Sequence, residues 1–410
     1  MGAEHKKKIL VVCQHFWPEE FKINDICKSW VTMGYEVDVL CSIPNYPLGK
    51  FFKGYSITKK RTEIYQGINI YRSLVVPSGK KNPLKILLNY VTFPIFASFK
   101  VKELSKNNYD KILIYQLTPI FMAYPAIKMK KLFGTKLYIY ILDLWPESLF
   151  SVYNFRSKLY RSFFERLSKN VYKKADYILT TSKGIREKVA TKYNFDKNNI
   201  LYIPNWAEKV YSEPRNNIQL EETYKDTFNI VFAGNIGPAQ SFNTILEAAK
   251  ICLHKGYKDI KWVIVGDGMT KNWVDNRIKE LKLEVIVDML GRKPMDSMPE
   301  YYNIADALLV SLSKSNLFAI TVPAKVQTYL AFGKPIIASL DGEGADIIRE
   351  SKAGIACESE NQLELANVVI QMYKLSEEER KLMGQNGRSY YLANFDKDKL
   401  LKKLTDFVFK

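Results

Sequence analysis

Residues 318–344 read FAITVPAKVQTYLAFGKPIIASLDGEG, and this stretch decides the fold. It predicts a strand edge at its start, a short helix, and then a buried strand. Pro323 suits the first helical position, where an amide hydrogen has no partner anyway, with Thr321 or Val322 as the cap. Val326, Tyr329 and Leu330 recur at helical spacing and face a core, and Gly333-Lys334-Pro335 stops the helix ahead of Ile336–Ala338. The free amides of the first turn, around Ala324 and Lys325, add to the positive end of the helix dipole and the Lys325 ammonium. Together they make an anion site the size of a diphosphate. The competing reading of Lys325 is a solvated first-turn lysine.

Outward from this stretch, apolar runs at 229–233, 260–265, 285–290, 306–311, 335–339 and 354–357 predict strands alternating with helices. Three glycine turns follow them: Gly234-Asn235-Ile236-Gly237, Gly266-Asp267-Gly268 and Gly291-Arg292. Each lets the backbone approach a ligand closely, and with the 323 helix they ring one cleft at the carboxyl ends of a parallel sheet. The first half carries its own series of strands, at 8–13, 36–41, 111–115, 136–141, 176–180 and 199–203. Two doubly wound, Rossmann-like α/β domains result. We expect an N-terminal domain over 1–204, a linker over 205–228, a second domain over 229–384, and C-terminal helices over 385–410 that return to the first domain. The linker assignment rests on polar, proline-containing sequence without periodicity.

In the first half, His15 and Glu19 follow the first strand, where a doubly wound sheet places its chemistry. Asp143 and Glu147 follow the 136–141 strand in the run Leu142-Asp143-Leu144-Trp145-Pro146-Glu147. A helix cap is the alternative role for Asp143. Pro44–Arg61 is a loop rich in proline, glycine, aromatics and lysine that could cover an acceptor.

Between 77 and 106 the apolar residues, among them Leu87, Leu88, Phe93 and Phe96, leave little polar face, and Lys80, Lys81 and Lys85 precede them. Asn89 and Pro94 interrupt the stretch too much for a span of ~30 Å of hydrocarbon. A monotopic helix with lysines on lipid headgroups is the sharper reading, and a buried domain helix is the plain one.

The composition is that of a folded protein, 47% hydrophobic and 13% aromatic, and a net charge of +18 asks for a polyanionic partner. Five scattered cysteines without a C-x-x-C pair read as reduced core residues. The start, MGAEHKKKIL, has no secretory pattern, so a cytoplasmic location is expected. No G-x-G-x-x-G follows the first strand of either half, and no metal spacing, nucleophile elbow or Walker loop occurs. Asp396-Lys397-Asp398 reads as a helix cap, so no metal site is expected.

The order of G-N-I-G, V-G-D-G, L-G-R, P-A-K-V-Q-T-Y-L-A-F-G-K-P-I-I-A-S and D-G-E-G resembles the GT-B glycosyltransferases of the family-4 type. Phe16-Trp17-Pro18-Glu19, Leu144-Trp145-Pro146-Glu147 and Pro204-Asn205-Trp206-Ala207-Glu208 resemble its O-antigen and colanic-acid branch, typified by the fucosamine transferase WbuB. The resemblance implies retaining, metal-independent transfer of a sugar, such as the N-acetylated 6-deoxyhexosamine L-FucNAc, from a UDP-sugar without a further cofactor. It implies an undecaprenyl-diphosphate-linked glycan as acceptor at the anionic inner face of the plasma membrane, in O-antigen, capsule or exopolysaccharide assembly. Where the family carries a basic pair, this chain has Asn235 and Gln240; where it carries two glutamates, this chain has Ile320 and Thr328. By that resemblance Thr328 meets the ribose, and Lys325 with Arg292 must neutralise the leaving diphosphate. Asp143 or His15 then positions the acceptor hydroxyl, with Glu147 in support.

Two rivals stand beside this reading. A UDP-sugar 2-epimerase would share the fold and need no lipid acceptor. A basic nucleic-acid-binding protein would share the charge, but the aromatics fall inside strands and helices rather than between lysines on one face, so no nucleic acid is expected.

Overall fold

The computed structural model describes residues 6–79, 82–152 and 157–410 and divides into two compact units, 1–203 with 400–410, and 204–399. Lys80 and Lys81 lie outside the described residues.

The first unit runs β1 (Lys8–Val12), α1 (Lys22–Thr32), β2 (Glu36–Ser42), β3 (Thr62–Tyr65), β4 (Ile68–Ser73), α2 (Pro83–Leu104), β5 (Lys111–Gln116), α3 (Tyr124–Phe133), β6 (Lys136–Ile141), α4 (Glu147–Val152), α5 (Lys158–Tyr172), β7 (Tyr177–Thr180), α6 (Lys183–Tyr193) and β8 (Ile200–Tyr202). Its sheet has the order β3-β4-β2-β1-β5-β6-β7-β8 and is parallel except for β3. The central strands are apolar without a break because helices cover both faces. Ile9 to Cys13 are buried throughout.

The second unit runs α7 (Ile218–Tyr224), β9 (Phe228–Asn235), α8 (Phe242–His254), β10 (Ile260–Asp267), α9 (Lys271–Glu280), β11 (Val287–Gly291), α10 (Met298–Asn303), β12 (Ala307–Ser311), α11 (Asn316–Ala319), α12 (Ala324–Phe332), β13 (Ile336–Ser339), α13 (Glu343–Glu350), β14 (Gly354–Cys357), α14 (Gln362–Lys374), α15 (Glu377–Asn394) and α16 (Lys397–Phe409), the last passing into the first unit at residue 400. Its sheet, β11-β10-β9-β12-β13-β14, is wholly parallel. Alternation along β9 serves two cores: Ile230 and Phe232 pack with α8 and α14, whereas Val231 and Ala233 pack with α10 and α12.

The twelve expected strands are all present, with ends within two residues of their predicted positions. The β3–β4 hairpin was not expected. Its turn, Gln66-Gly67, has both residues left-handed (φ 49° and 79°), the geometry of a two-residue hairpin, and it closes the sheet edge in antiparallel fashion. The expected strand edge at Phe318 is the helical turn α11, and Pro323 is the residue before α12 rather than its first. Ser315 explains the former: its hydroxyl accepts the Leu317 amide and starts a turn.

The 205–228 stretch is no bare linker. Trp206 and Ala207 are buried, the Tyr391 hydroxyl accepts the Ala207 amide (3.1 Å), and Asn217 caps α7. At the other end only residues 400–410, not 385–410, belong with the first unit: Trp30 Nε1 donates to Thr405 Oγ1 (2.9 Å) and Tyr35 stacks on Phe409.

α2 is the one helix among the described residues long and apolar enough to cross a membrane. One side of it belongs to the domain: Phe93, Ala97 and Val101 are fully buried, and Asn89 accepts from Gln14 Nε2 (2.6 Å) and donates to the Val76 carbonyl (2.7 Å). The other side exposes Leu84, Leu87, Leu88, Val91, Ile95, Phe96 and Phe99. Phe93 is therefore a core residue and not a membrane-facing one, which corrects the reading of the apolar run as a single face. All five cysteines are free and buried, as expected.

Candidate functional site

At the carboxyl ends of β9 and β10, Gly234 pairs with Gly266 and Asn235 with Asp267. A side chain at 266 is impossible, since a Cβ there would sit 1.9 Å from the Gly234 carbonyl oxygen. The strands thus approach closely and leave their ends open to a cavity of about 530 Å³. Gly234, Asn235, Gly266, Asp267 and Gly268 form its floor, and Arg292, Lys293, Met295, Met298 and Tyr211 its walls. Gly291, left-handed at φ 69°, turns the chain after β11 so that Arg292 and Lys293 reach the cavity. Gln240 does not line it. Its Oε1 accepts from the Gly237 amide (3.1 Å) and from Asn235 Nδ2 (3.3 Å), which fixes the turn that presents Asn235.

Lys325 stands in the first turn of α12. Its Nζ is fully buried, has no hydrogen-bond partner, and lies 3.4 Å from the centre of the Phe232 ring. A Cβ on Gly234, which is at φ 136°, would come within 2.7 Å of Lys325 Cε and 3.1 Å of Nζ. The ammonium is folded beneath the glycine that floors the cavity, where burial lowers it from 10.5 to about 7. An unpaired buried cation is costly unless an anion joins it. The solvated-lysine reading therefore fails. Pro323 borders a separate recess with Thr321 and Asp341. Thr328 is half-buried, exposed Ala324 opens α12, and neither lines the cavity.

In the first unit, Glu19 is almost wholly buried. Its Oε1 accepts from the amides of Asn45 (2.8 Å) and Tyr46 (2.6 Å), and its Oε2 lies 3.1 Å from His15 Nδ1. His15 is further held between Phe21 and Tyr46. Asp143 Oδ2 accepts from both the amide and the hydroxyl of Thr118 (3.2 Å each). Desolvation pushes its carboxyl above the usual range, and the Thr118 bonds offset this in part. Asp143 does not cap a helix, because α4 begins four residues later.

Glu147 departs from expectation. Its Oε1 pairs with Lys192 (2.9 Å) and Lys188 (3.4 Å) of α6, so it braces that helix rather than backing Asp143. Asp396 accepts the Lys399 amide as the expected cap. Among the described residues no group of three His, Cys, Asp or Glu could hold a metal.

Tyr211, Lys293, Met295 and Met298 escaped the sequence reading. Lys293 adjoins Arg292 and shares its turn, a signal that was available. Tyr211 sits in a stretch without periodicity, and only its packing on Tyr302 places it at the cavity.

Residues 23–208 match the model for Glycosyltransferase Family 4 and residues 215–390 that for Glycosyl transferases group 1. An uncharacterized glycosyltransferase of Methanocaldococcus jannaschii is 24% identical over 232 residues, 56% of this chain and 57% of that protein, so the chain matches little over half the relative's length. Solved structures are similar over nearly the whole chain. HepE of Anabaena in complex with UDP superposes at TM-score 0.72 with 14% identity, covering 98% of both chains. WaaG, a glycosyltransferase involved in lipopolysaccharide biosynthesis, superposes at 0.66 with 13% identity, covering 98% of this chain and 99% of its own. These likenesses identify the fold as GT-B.

Proposed function

Since the chain carries a glycosyltransferase family 4 domain followed by a group 1 domain on the GT-B fold, we propose that it transfers a sugar from a UDP-sugar, with retention, to a lipid-diphosphate-linked glycan. The observation that carries this reading is the buried, unpartnered Lys325 ammonium beneath Gly234, at the start of α12 and beside a cavity with two further cations. Breaking the anomeric C–O bond leaves its electron pair on the diphosphate. Fixed amides and cations placed there favour the transition state over the ground state. Lys325 and Arg292 take the role that a metal ion fills elsewhere. Gly234, Gly266 and Gly268 admit the phosphates, and Asn235 faces the donor. That HepE was solved with UDP supports the choice of nucleotide.

The first unit supplies the acceptor side. Asp143, raised by burial, and His15, held by Glu19, are its candidates to receive and orient the acceptor hydroxyl. The exposed apolar side of α2, with Lys85 at its start, rests on the anionic inner face of the plasma membrane, where a lipid-linked acceptor is found. Assembly of O-antigen, capsule or exopolysaccharide fits these parts, with an N-acetylated 6-deoxyhexosamine such as L-FucNAc among the donors to try first. Thermal-shift screening against UDP-, GDP- and dTDP-sugars, followed by UDP release with and without lipid acceptor, tests the reading. Stabilisation by UDP-sugars and acceptor-dependent release are expected. Interconversion of the UDP-sugar without acceptor would instead indicate an epimerase.

A further inference from the structure

Resting on the reading of α2 as a bilayer contact, we propose that the first turns of α5 are a second, independent one, selective for anionic lipid. Leu159, Tyr160 and Phe163 are 78%, 60% and 59% exposed, and their spacing puts them on one side of the helix. Large apolar side chains in that state need a cover when they cluster. α5 docks on its domain through Phe164, which packs on Trp145, and through Ser168, Val171 and Tyr172, which are buried, and the other side of its first turns is exposed. Lys158 and Arg161 are exposed in these turns and Arg166 just beyond them; Arg161 lies 4.7 Å over the Phe150 ring, and among the described residues none of the three makes an ion pair. Glu165 of the same helix lies 3.5 Å from Lys192 on α6.

α5 also lies in the same layer as α2. The connections β4–α2–β5, β5–α3–β6 and β6–α5–β7 all step the same way across the sheet, and right-handed crossovers place such helices on one face. The turn at Ile120–Ala123 packs against both α2 and α5. Half of the large apolar side chains left exposed among the described residues belong to α2, α3 and α5, a concentration that scatter does not explain.

Charge selects the occupant. A symmetric contact with a second copy would set the Lys158, Arg161 and Arg166 cations against their own equivalents. An anionic leaflet attracts them, while aromatic and aliphatic side chains reach the acyl boundary. Two contacts on one face of the sheet would fix how the first unit faces the membrane, which one helix free to roll does not.

Vesicle co-sedimentation of the full chain separates the two helices. The probes are phosphatidylcholine vesicles with and without phosphatidylglycerol. Leu159→Ser/Tyr160→Ser/Phe163→Ser should lower partitioning into the mixed vesicles by on the order of 10- to 100-fold with an unchanged melting temperature. Lys158→Gln/Arg161→Gln/Arg166→Gln should lower the preference for phosphatidylglycerol and leave binding to phosphatidylcholine alone unchanged. Wild-type partitioning in both α5 variants, with loss in Leu87→Ser/Leu88→Ser/Phe96→Ser, would overturn the α5 contact and leave the α2 reading standing. Absence of wild-type binding to any vesicle would sink both. A wild-type dimer that the apolar α5 variant splits, with vesicle binding unchanged, would assign the patch to a second copy instead. Should the triple variant misfold, Tyr160→Trp serves: quenching of its emission by brominated acyl chains is expected, and no quenching rejects the insertion.

Discussion

Binding of UDP should draw a proton into the protein, and Lys325 is the group that takes it. Burial holds the ammonium at about 7, so near neutrality about half of the molecules carry it uncharged. A diphosphate within reach offsets the cost of desolvation and returns the group towards its ordinary 10.5. Linkage then sets the size of the effect. About half a proton is taken up at pH 7 and about 0.9 at pH 8, and the dissociation constant for UDP rises about fiftyfold between pH 7 and pH 9. The terminal phosphate of UDP, which ionises near pH 6, is already charged across this window. Titration calorimetry at each pH, in buffers of contrasting ionisation enthalpy, reads both quantities. Lys325→Met should bind weakly, with no proton uptake and little pH dependence. A wild-type affinity that stays level from pH 7 to pH 9 would refute the pairing of this lysine with the diphosphate.

Four further outcomes follow from the same geometry. Lys325→Ala should lower turnover by roughly 10²- to 10³-fold, the loss expected for one stabilising donor to a developing anion; the Met variant should also unfold at higher temperature. The sign of that second effect is fixed: the folded ammonium is held below its unfolded value, so wild-type stability rises with pH from about 7 to 10.5 and the Met variant lacks that rise, which melts at two pH values would read. Gly234→Ala should weaken UDP binding by on the order of tenfold or more, because φ 136° is strained for alanine and its Cβ would meet the Lys325 stem; calorimetry checks it. Asp143→Asn should reduce kcat by roughly 10²-fold with the donor KM unchanged, whereas Glu147→Gln, freed only from Lys192 and Lys188, should cost stability of about 1 kcal/mol and little kcat. Phe93→Ala should destabilise the fold by about 3–5 kcal/mol in urea denaturation, unlike Leu87→Ser or Phe96→Ser on the exposed side of the same helix.

The strands were legible because each is a short apolar run, several of them closed by glycine, proline or an acid, and burial on both faces leaves little polar alternation to blur them. The hairpin at 62–73 was missed for the opposite reason: it lies at a sheet edge, alternates weakly, and its turn is Gln66-Gly67 rather than Asn-Gly. Lys325 and the glycine turns were legible as types of residue, but nothing in their spacing says that the ammonium folds under Gly234 onto Phe232. That depends on strand pairing between β9 and β10, a contact remote from 325 in sequence. Glu147 was misassigned because a motif shows neighbours along the chain, whereas its partners Lys188 and Lys192 come from a helix packed against it. Phe93 was misassigned because an apolar run does not reveal which side a polar Asn89 will fasten to the sheet.

The return of residues 400–410 to the first unit bears on how the polypeptide matures on the ribosome. Trp30 and Tyr35 wait for Thr405 and Phe409, which are synthesised only after the whole second unit. Early domains ordinarily finish folding while translation continues. Here the amino-terminal half stays open at one indole and one phenol until the last helix arrives, so a stalled or nicked product lacking that helix presents a bare aromatic surface to the chaperones and proteases that survey nascent chains.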